Sequence, residues 1–403
     1  MSQTLKPETD GQVVDAIAWA VSEESPLEIV AGGTKRGLGR PLQTAHTIDL
    51  SAFSGISLYE PEELVLSAGP GTPLAEIEAV LTESNQQLAF EPADLGPLFG
   101  EAPNSGSLGG AIAANLSGPR RISAGAARDH LLGLHGVSGR GEAFKTGGRV
   151  VKNVTGYDLC KLMTGSFGTL AAFTQLTVKV LPRAERVRTV LLKGLSPADA
   201  TAAMSEALQG PHEVSGAAHL PNGAAGRILV DRVSDAGTSV TAIRVEGFGP
   251  SAEHRCGALR ALLASYGDQD ELHTENSRAF WRAVRDVQPF WPGDGPERTV
   301  WRISVAPTDG HALADGILGA IDGEALFDWG GGLVWLALAE PAVETVRATV
   351  DGLGGHATLV RAADPVRASE HVFQPQPEPL AALSRRIKDA FDPKGILNPG
   401  RMD

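Results

Sequence analysis

Apolar positions recur at helical spacing from Asp10 to Ser22, where Val13, Val14, Ile17, Ala18 and Val21 share one face. The next apolar run, Leu27 to Ala31, is short and continuous and predicts a strand that enters the glycine-rich turn Gly32 to Gly39. Short strands are predicted over Thr47–Leu50 and Leu64–Ala68, and a helix over Leu74–Leu81 with Pro73 at its first position. Leu131–Val137 predicts a buried strand, Ser138 to Gly141 a hairpin turn, and Ala143–Thr146 the returning strand. A further strand is predicted over Arg149–Lys152. The run Ala172–Val180 alternates apolar and polar residues, which predicts a half-exposed strand ended by Leu181-Pro182-Arg183.

Beyond about Pro182–Glu185 the pattern changes. Strand-like runs over Thr189–Leu192, Arg227–Asp231, Val240–Glu246, Val300–Ala306, Leu333–Ala339 and Ala357–Arg361 alternate with helical ones over Ala198–Leu208, Ala252–Leu263, Glu275–Val287 and Val343–Asp351. This predicts an antiparallel sheet covered by helices on one side, and an α+β fold for the whole chain. A helix over Ala381–Phe391 and an Asn398-Pro399-Gly400 tail close the sequence. The divisions expected are 1–184, 185–370 and 371–403.

Composition narrows the function. The 403 residues carry a formal net charge of −13, which argues against a nucleic-acid partner because phosphate contacts need a basic surface. Cys160 and Cys256 form no CxxC pair and join no Cys/His cluster, so no metal or iron–sulfur site is expected in this chain and a reducing, cytoplasmic setting is. The acidic, polar start does not read as a signal peptide, and no apolar run reaches membrane-spanning length, so any placement at the inner membrane is expected to be through partners.

The 48 glycines concentrate in stretches that bring backbone close to something. Gly32-Gly33-Thr34-Lys35-Arg36-Gly37-Leu38-Gly39 follows a strand, a setting in which amides cradle phosphate, although it matches neither G-x-G-x-x-G nor a Walker loop; a structural turn is the alternative. Pro103 to Pro119 runs through a polar glycine turn into Ser107-Leu108-Gly109-Gly110 and a small-residue helix, which suits either a flat or anionic group or close helix packing. Gly147 to Leu170 ends in the turn Gly165-Ser166-Phe167-Gly168.

Taken together, Gly32-Gly33-Thr34, Ser107 to Gly110 with Asn115, Gly156 to Leu159, Gly165 to Leu170 and Asn398-Pro399-Gly400 resemble the flavoprotein family of p-cresol methylhydroxylase and vanillyl-alcohol oxidase. Lys152 to Leu159 is similar to the mark of its glycolate and D-lactate dehydrogenase branch. Phe280-Trp281-Arg282, Val300 to Val305 and Asp328 to Gly332 are similar to the FAD-binding E-type subunits of glycolate oxidase. The resemblance implies a two-lobed FAD-binding domain, an α+β cap and a tail that returns to the flavin. It implies FAD contacts from Gly32, Gly33, Thr34, Lys35, Gly37, Leu38, Pro103, Ser107, Leu108, Gly109, Gly110, Asn115, Gly118, Arg120, Tyr157, Asp158, Gly165, Gly168, Leu170, Ala172, Asn398 and Arg401. Covalently flavinylated relatives carry a histidine where this chain reads Thr34-Lys35-Arg36-Gly37, so the FAD is expected to be noncovalent.

Phe167 and Gln175 stand where the family usually has glutamate, and the His-Gly-Asp/Glu-Gly-Asn-x-His motif of catalytic subunits is missing. The resemblance therefore implies a subunit that works beside a homologous catalytic flavin subunit and an iron–sulfur subunit, on a small 2-hydroxy acid such as glycolate. A free-standing 2-hydroxy-acid dehydrogenase and a flavin-fold scaffold without flavin are the alternatives. Oxidation of a hydroxy acid needs a cation for the carboxylate and a base for the hydroxyl proton. Arg282 and Arg302, each following a tryptophan, are candidates for the first, and His273 for the second; salt bridges and an ordinary structural histidine are the competing readings.

Overall fold

The computed structural model describes residues 3–149, 156–293 and 297–402. Two larger sheets form from the first half of the chain, beside a two-stranded pairing of Gln86–Gln87 with Leu181–Pro182. Strands Gln3–Leu5 and Leu27–Val30 flank His46–Asp49 in a parallel three-stranded sheet. The helix Asp10–Ser22, capped by the Thr9 hydroxyl, buries Val13, Ile17 and Ala20 among Leu27, Ile48 and Val137. The second sheet is antiparallel with five strands, in the order Ile56–Glu60, Val65–Ala68, Ala171–Lys179, Leu131–Ser138, Ala143–Gly147. Its core takes Ile77 and Leu81 from the helix Leu74–Glu83 and Leu108, Ala111 and Ile112 from the helix Leu108–Ala113.

The second half builds one antiparallel sheet of eight strands, ordered Gln269–Leu272, Arg186–Lys193, Val240–Gly247, Val214–Leu220, Gly323–Asp328, Leu333–Leu338, Thr299–Ser304, His356–Arg361. Helices Pro197–Gln209, Gly249–Leu262, Gly310–Leu318 and Val343–Gly352 bury their apolar stripes on one face. The expectation of a single covered face does not hold. Ala218, Leu326, Trp335 and Val360 on the other face pack with the helix Thr274–Arg285 and with Leu38, Ala93, Leu95 and Leu98 of the first half.

Other departures have local causes. Ala171–Lys179 is central in its sheet, so its threonines are buried and the alternation misread it as half exposed; Thr177 and Ser67 hydrogen-bond across the strands at 2.8 Å. Arg227–Asp231 is a turn leading to the short helix Asp231–Ser234, because Gly226 and exposed Leu229 interrupt any ladder. Pro73 caps its helix instead of starting it. The strand read at Arg149–Lys152 runs into residues outside those described, as does Lys152–Thr155. Among the described residues, no helix is long and apolar enough to cross a membrane.

Candidate functional site

A cleft open to solvent lies between the three-stranded sheet and the helix Leu108–Ala113. Ile29 to Arg36 with Leu38 line one side, and Ser107, Gly110, Ala113 and Ala114 the other. Phe167, Asn398 and Arg401 complete the lining. The first wall is the glycine turn after Leu27–Val30. Gly33 sits at φ 76°, a left-handed conformation that favours glycine. A Cβ on Gly37 would stand 2.5 Å from the Phe99 ring. Among the described residues, the amides of Gly32, Gly33, Thr34 and Lys35 donate to no protein acceptor.

Arg36 and Arg401 pair with Glu28, which leaves Lys35 as the cation of this cleft without a carboxylate partner among the described residues. Its Nζ is 3.5 Å from the Thr34 hydroxyl, and a Cβ added to Gly106 or Gly110 would lie 3.1 or 3.3 Å from it. No carboxylate among the described residues reaches ion-pair distance. Burial lowers the Lys35 pKa, opposed by the charge of Asp94.

The second wall is held by short-range bonds. The Ser107 hydroxyl accepts from the Gly110 amide at 3.3 Å. Leu108 is core, and Gly109 has no room for a Cβ, which would meet Pro70 at 2.6 Å. Asn115, at φ 48°, accepts from the Arg128 amide at 3.3 Å. The turn after Met163 bonds to the end of the glycine helix, Gly165 N–H to Ile112 at 3.1 Å and Phe167 N–H to Ala113 at 2.9 Å. Phe167 stands at φ 52° and its ring meets Phe373 edge-on. Leu170 and Ala172 are core residues, Pro103 is exposed, Tyr157 is 90% exposed and Asp158 caps the helix Leu159–Met163.

The tail clamps these walls. Leu397 bridges Leu27 in parallel, and the Asn398 amide donates to Leu27 at 3.0 Å. The Asn398 side chain accepts from Ile29 N–H and donates to the Phe167 carbonyl, both at 2.8 Å. Arg401 donates to the carbonyls of Arg36 and Leu38 at 3.0 and 2.9 Å. Both side chains line the cleft while spending these hydrogen bonds on its walls.

The other predicted residues lie away from the cleft. Gly118 and Arg120 sit at the seam with the eight-stranded sheet. Arg120 pairs with Glu246 at 2.8 Å and Glu91 at 3.1 Å, and Arg244 pairs with Glu91 at 2.9 Å. His273 is exposed, 3.1 Å from Arg188 on a separate groove, and Arg282 is exposed on the helix Thr274–Arg285. Arg302 does face the seam. Its guanidinium is 5.1 Å from the Trp329 ring, over which Arg121 stacks at 4.3 Å, and Trp329 donates to the Gly118 carbonyl at 3.0 Å. Burial and the charge of Arg121 push the Arg302 pKa down to about 10. Asp328, which accepts from the Trp329 amide, is pushed up to about 7 by burial. Sequence reading named Asp328 only within a family mark, with no role for its carboxyl, and missed the Glu91 and Glu246 network, since nothing in a sequence marks which acids a distant strand will bury.

Four unpaired amides on a left-handed glycine turn, beside a buried ammonium without a carboxylate, suit a diphosphate; Ala113, Ala114 and Phe167 give the apolar surface a dinucleotide needs.

Comparison with known proteins agrees. Residues 1–147 match the FAD binding domain family and residues 372–402 the C-terminal domain of FAD linked oxidases. The chain is 35% identical over 392 residues to the glycolate oxidase subunit GlcE of Escherichia coli K12, covering 97% of this chain and 96% of that one. It is 27% identical over 429 residues to the uncharacterized FAD-linked oxidoreductase Rv2280 of Mycobacterium tuberculosis H37Rv, covering 98% and 89%. A stretch of 85 residues is 41% identical to GlcD, another glycolate oxidase subunit, of Bacillus subtilis, covering 21% and 18%. In fold, p-cresol methylhydroxylase with substrate bound and the 4-ethylphenol oxidase of Gulosibacter chungangensis each superpose with a TM-score of 0.71 at 16% identity, covering 99% of this chain and 88% of theirs. With that fold, that cleft and similarity along nearly its whole length, the chain belongs to the FAD-linked oxidoreductases of p-cresol methylhydroxylase type, in the family of the glycolate oxidase E subunit, and its cofactor is FAD.

Proposed function

We propose that this chain is the FAD-binding subunit of a complex that oxidises glycolate to glyoxylate, working beside a homologous catalytic flavin subunit and an iron–sulfur subunit. It divides into an FAD-binding part (1–184), a cap (185–370) and a tail (371–403). The observation that carries the reading is the Lys35 ammonium facing the cleft together with the free amides of Gly32 to Lys35. These groups would hold the diphosphate, with Ser107 to Gly110 and Phe167 as the opposite wall. Among the described residues, no histidine, cysteine or tyrosine lines the cleft, which supports noncovalent binding. When bound, FAD supplies the acceptor for the hydride equivalent leaving the hydroxy acid. The chain's own contribution to substrate is Arg302, a guanidinium with no hydrogen-bond acceptor among the described residues, suited to a carboxylate. His273 lines a separate groove with Arg188, and Arg282 lines the seam cavity with Arg183 and Arg278.

The Arg302 position also favours a second reading, a free-standing 2-hydroxy-acid dehydrogenase. Assaying the purified chain with glycolate and D-lactate and an artificial acceptor separates the two. Bound flavin with turnover only after the partner subunits are added supports the subunit reading. Full turnover by the chain alone overturns it.

A further inference from the structure

A second cavity, open to solvent, lies on the seam between the first half of the chain and the eight-stranded sheet. Its floor is the network of Glu91, Arg120, Arg244 and Glu246, two acids against two guanidiniums. Arg285 on its wall is matched by Asp286 at 2.7 Å, with Glu78 at 3.6 Å. Arg278 is matched by the exposed Glu275 at 3.0 Å and donates to the Ala184 carbonyl at 3.2 Å.

Two guanidiniums remain. Arg183 follows Leu181–Pro182, the segment that pairs with Gln86–Gln87 and leads into the sheet, and Arg282 projects from the helix Thr274–Arg285. Among the described residues, neither makes an ion pair or a side-chain hydrogen bond. They lie close enough, with Arg278, that burial and then the neighbouring guanidiniums lower the Arg183 pKa, against the pull of Glu275 and Glu78. In a chain of net charge −13, a cavity that assembles cations and leaves two of them unmatched is a place where an anion is missing.

We propose that this cavity binds a small dianionic oxyanion, a phosphate group or a dicarboxylate, between Arg183 and Arg282. The ligand bridges the connecting segment and the helix of the second half, and so holds the two halves of the chain together. The site is separate from the FAD cleft: the two share no lining residue.

The test is thermal unfolding of the FAD-loaded protein with inorganic phosphate, malonate, acetate or sodium chloride at matched ionic strength, for wild type, R183A/R282A and R282Q. A saturable rise of about 3–5 °C with phosphate or malonate, absent with acetate and chloride, is expected. R183A/R282A should weaken the apparent affinity at least tenfold with flavin content unchanged. The source of the dianion is read from which of phosphate and malonate saturates at lower concentration. Exposed Arg282 makes R282Q a gentler substitution, and it should lower the affinity on its own. An equal rise with chloride, or the same rise in R183A/R282A and R282Q as in wild type, overturns the proposal.

Discussion

Lys35 shows how one residue reports a ligand. Its ammonium is removed from water with no carboxylate in contact, so in the free protein it is a cost. The sign follows from its lowered pKa: the protonated form destabilises the fold at neutral pH, and stability rises as pH climbs through the depressed folded value. Lys35→Met should therefore leave the apoprotein as stable or more so, while weakening FAD by about 10- to 100-fold, the loss of one charge-assisted contact. Fluorescence titration with FAD and thermal unfolding of the apoprotein measure the two effects. Asp328 gives a second prediction. Its folded pKa of about 7 lies above the ordinary carboxylate value, so the folded state holds the proton longer than the unfolded one. Stability should fall as pH rises from about 4 to 7 and level off above. Asp328→Asn should flatten that slope and gain on the order of 2 kcal/mol at pH 8, measured by denaturant unfolding across pH.

At the scale of elements, the tail and the glycine turn depend on each other. Gly168 stands at φ 70°, and a Cβ there would come within 2.7 Å of Asn398 Nδ2. Gly168→Ala should cost about 1–3 kcal/mol and reduce bound flavin, because the turn carrying Phe167 cannot move without releasing Asn398. Asn398→Ala, which removes two hydrogen bonds, should cost a similar amount in thermal unfolding while leaving the helix content by circular dichroism unchanged. Much of this level was legible in the sequence. Val13, Ile17 and Leu74 to Leu81 carry helical periodicity, and the glycine turns mark where backbones meet. The strands Val214–Leu220 and Gly323–Asp328 were not legible, because small and polar residues, Ser215 to Ala218 and Gly323 to Ala325, break the apolar run that marks a buried strand. The resemblance put Asn398 and Arg401 at the flavin and both line the cleft, yet their roles as clamps on Ile29, Phe167, Arg36 and Leu38 emerge only when the two ends of the chain meet.

For the whole molecule, the seam between the two halves is charged at its centre. Arg244, 1% exposed, holds Glu91 and stacks on Trp281 at 4.6 Å, while Arg120 holds Glu246. Such a network fixes how the halves meet more than it adds stability. Arg244→Met leaves Glu91 with less countercharge and should cost about 3–5 kcal/mol, whereas Glu91→Met with Arg244→Met should cost less than the sum of the single changes. The resemblance placed Arg120, two residues after Gly118, near flavin; its partners lie 29 and 126 residues away and were beyond reach of local spacing. The central claim remains that the glycine cleft of this chain holds FAD itself. Its most direct test is the absorption spectrum of the purified protein, with and without added FAD, followed by acid precipitation. The account predicts a flavin spectrum near one FAD per chain, released entirely to the supernatant and much reduced in Lys35→Met. A wild-type protein that stays colourless after incubation with FAD, or a yellow pellet, would contradict it.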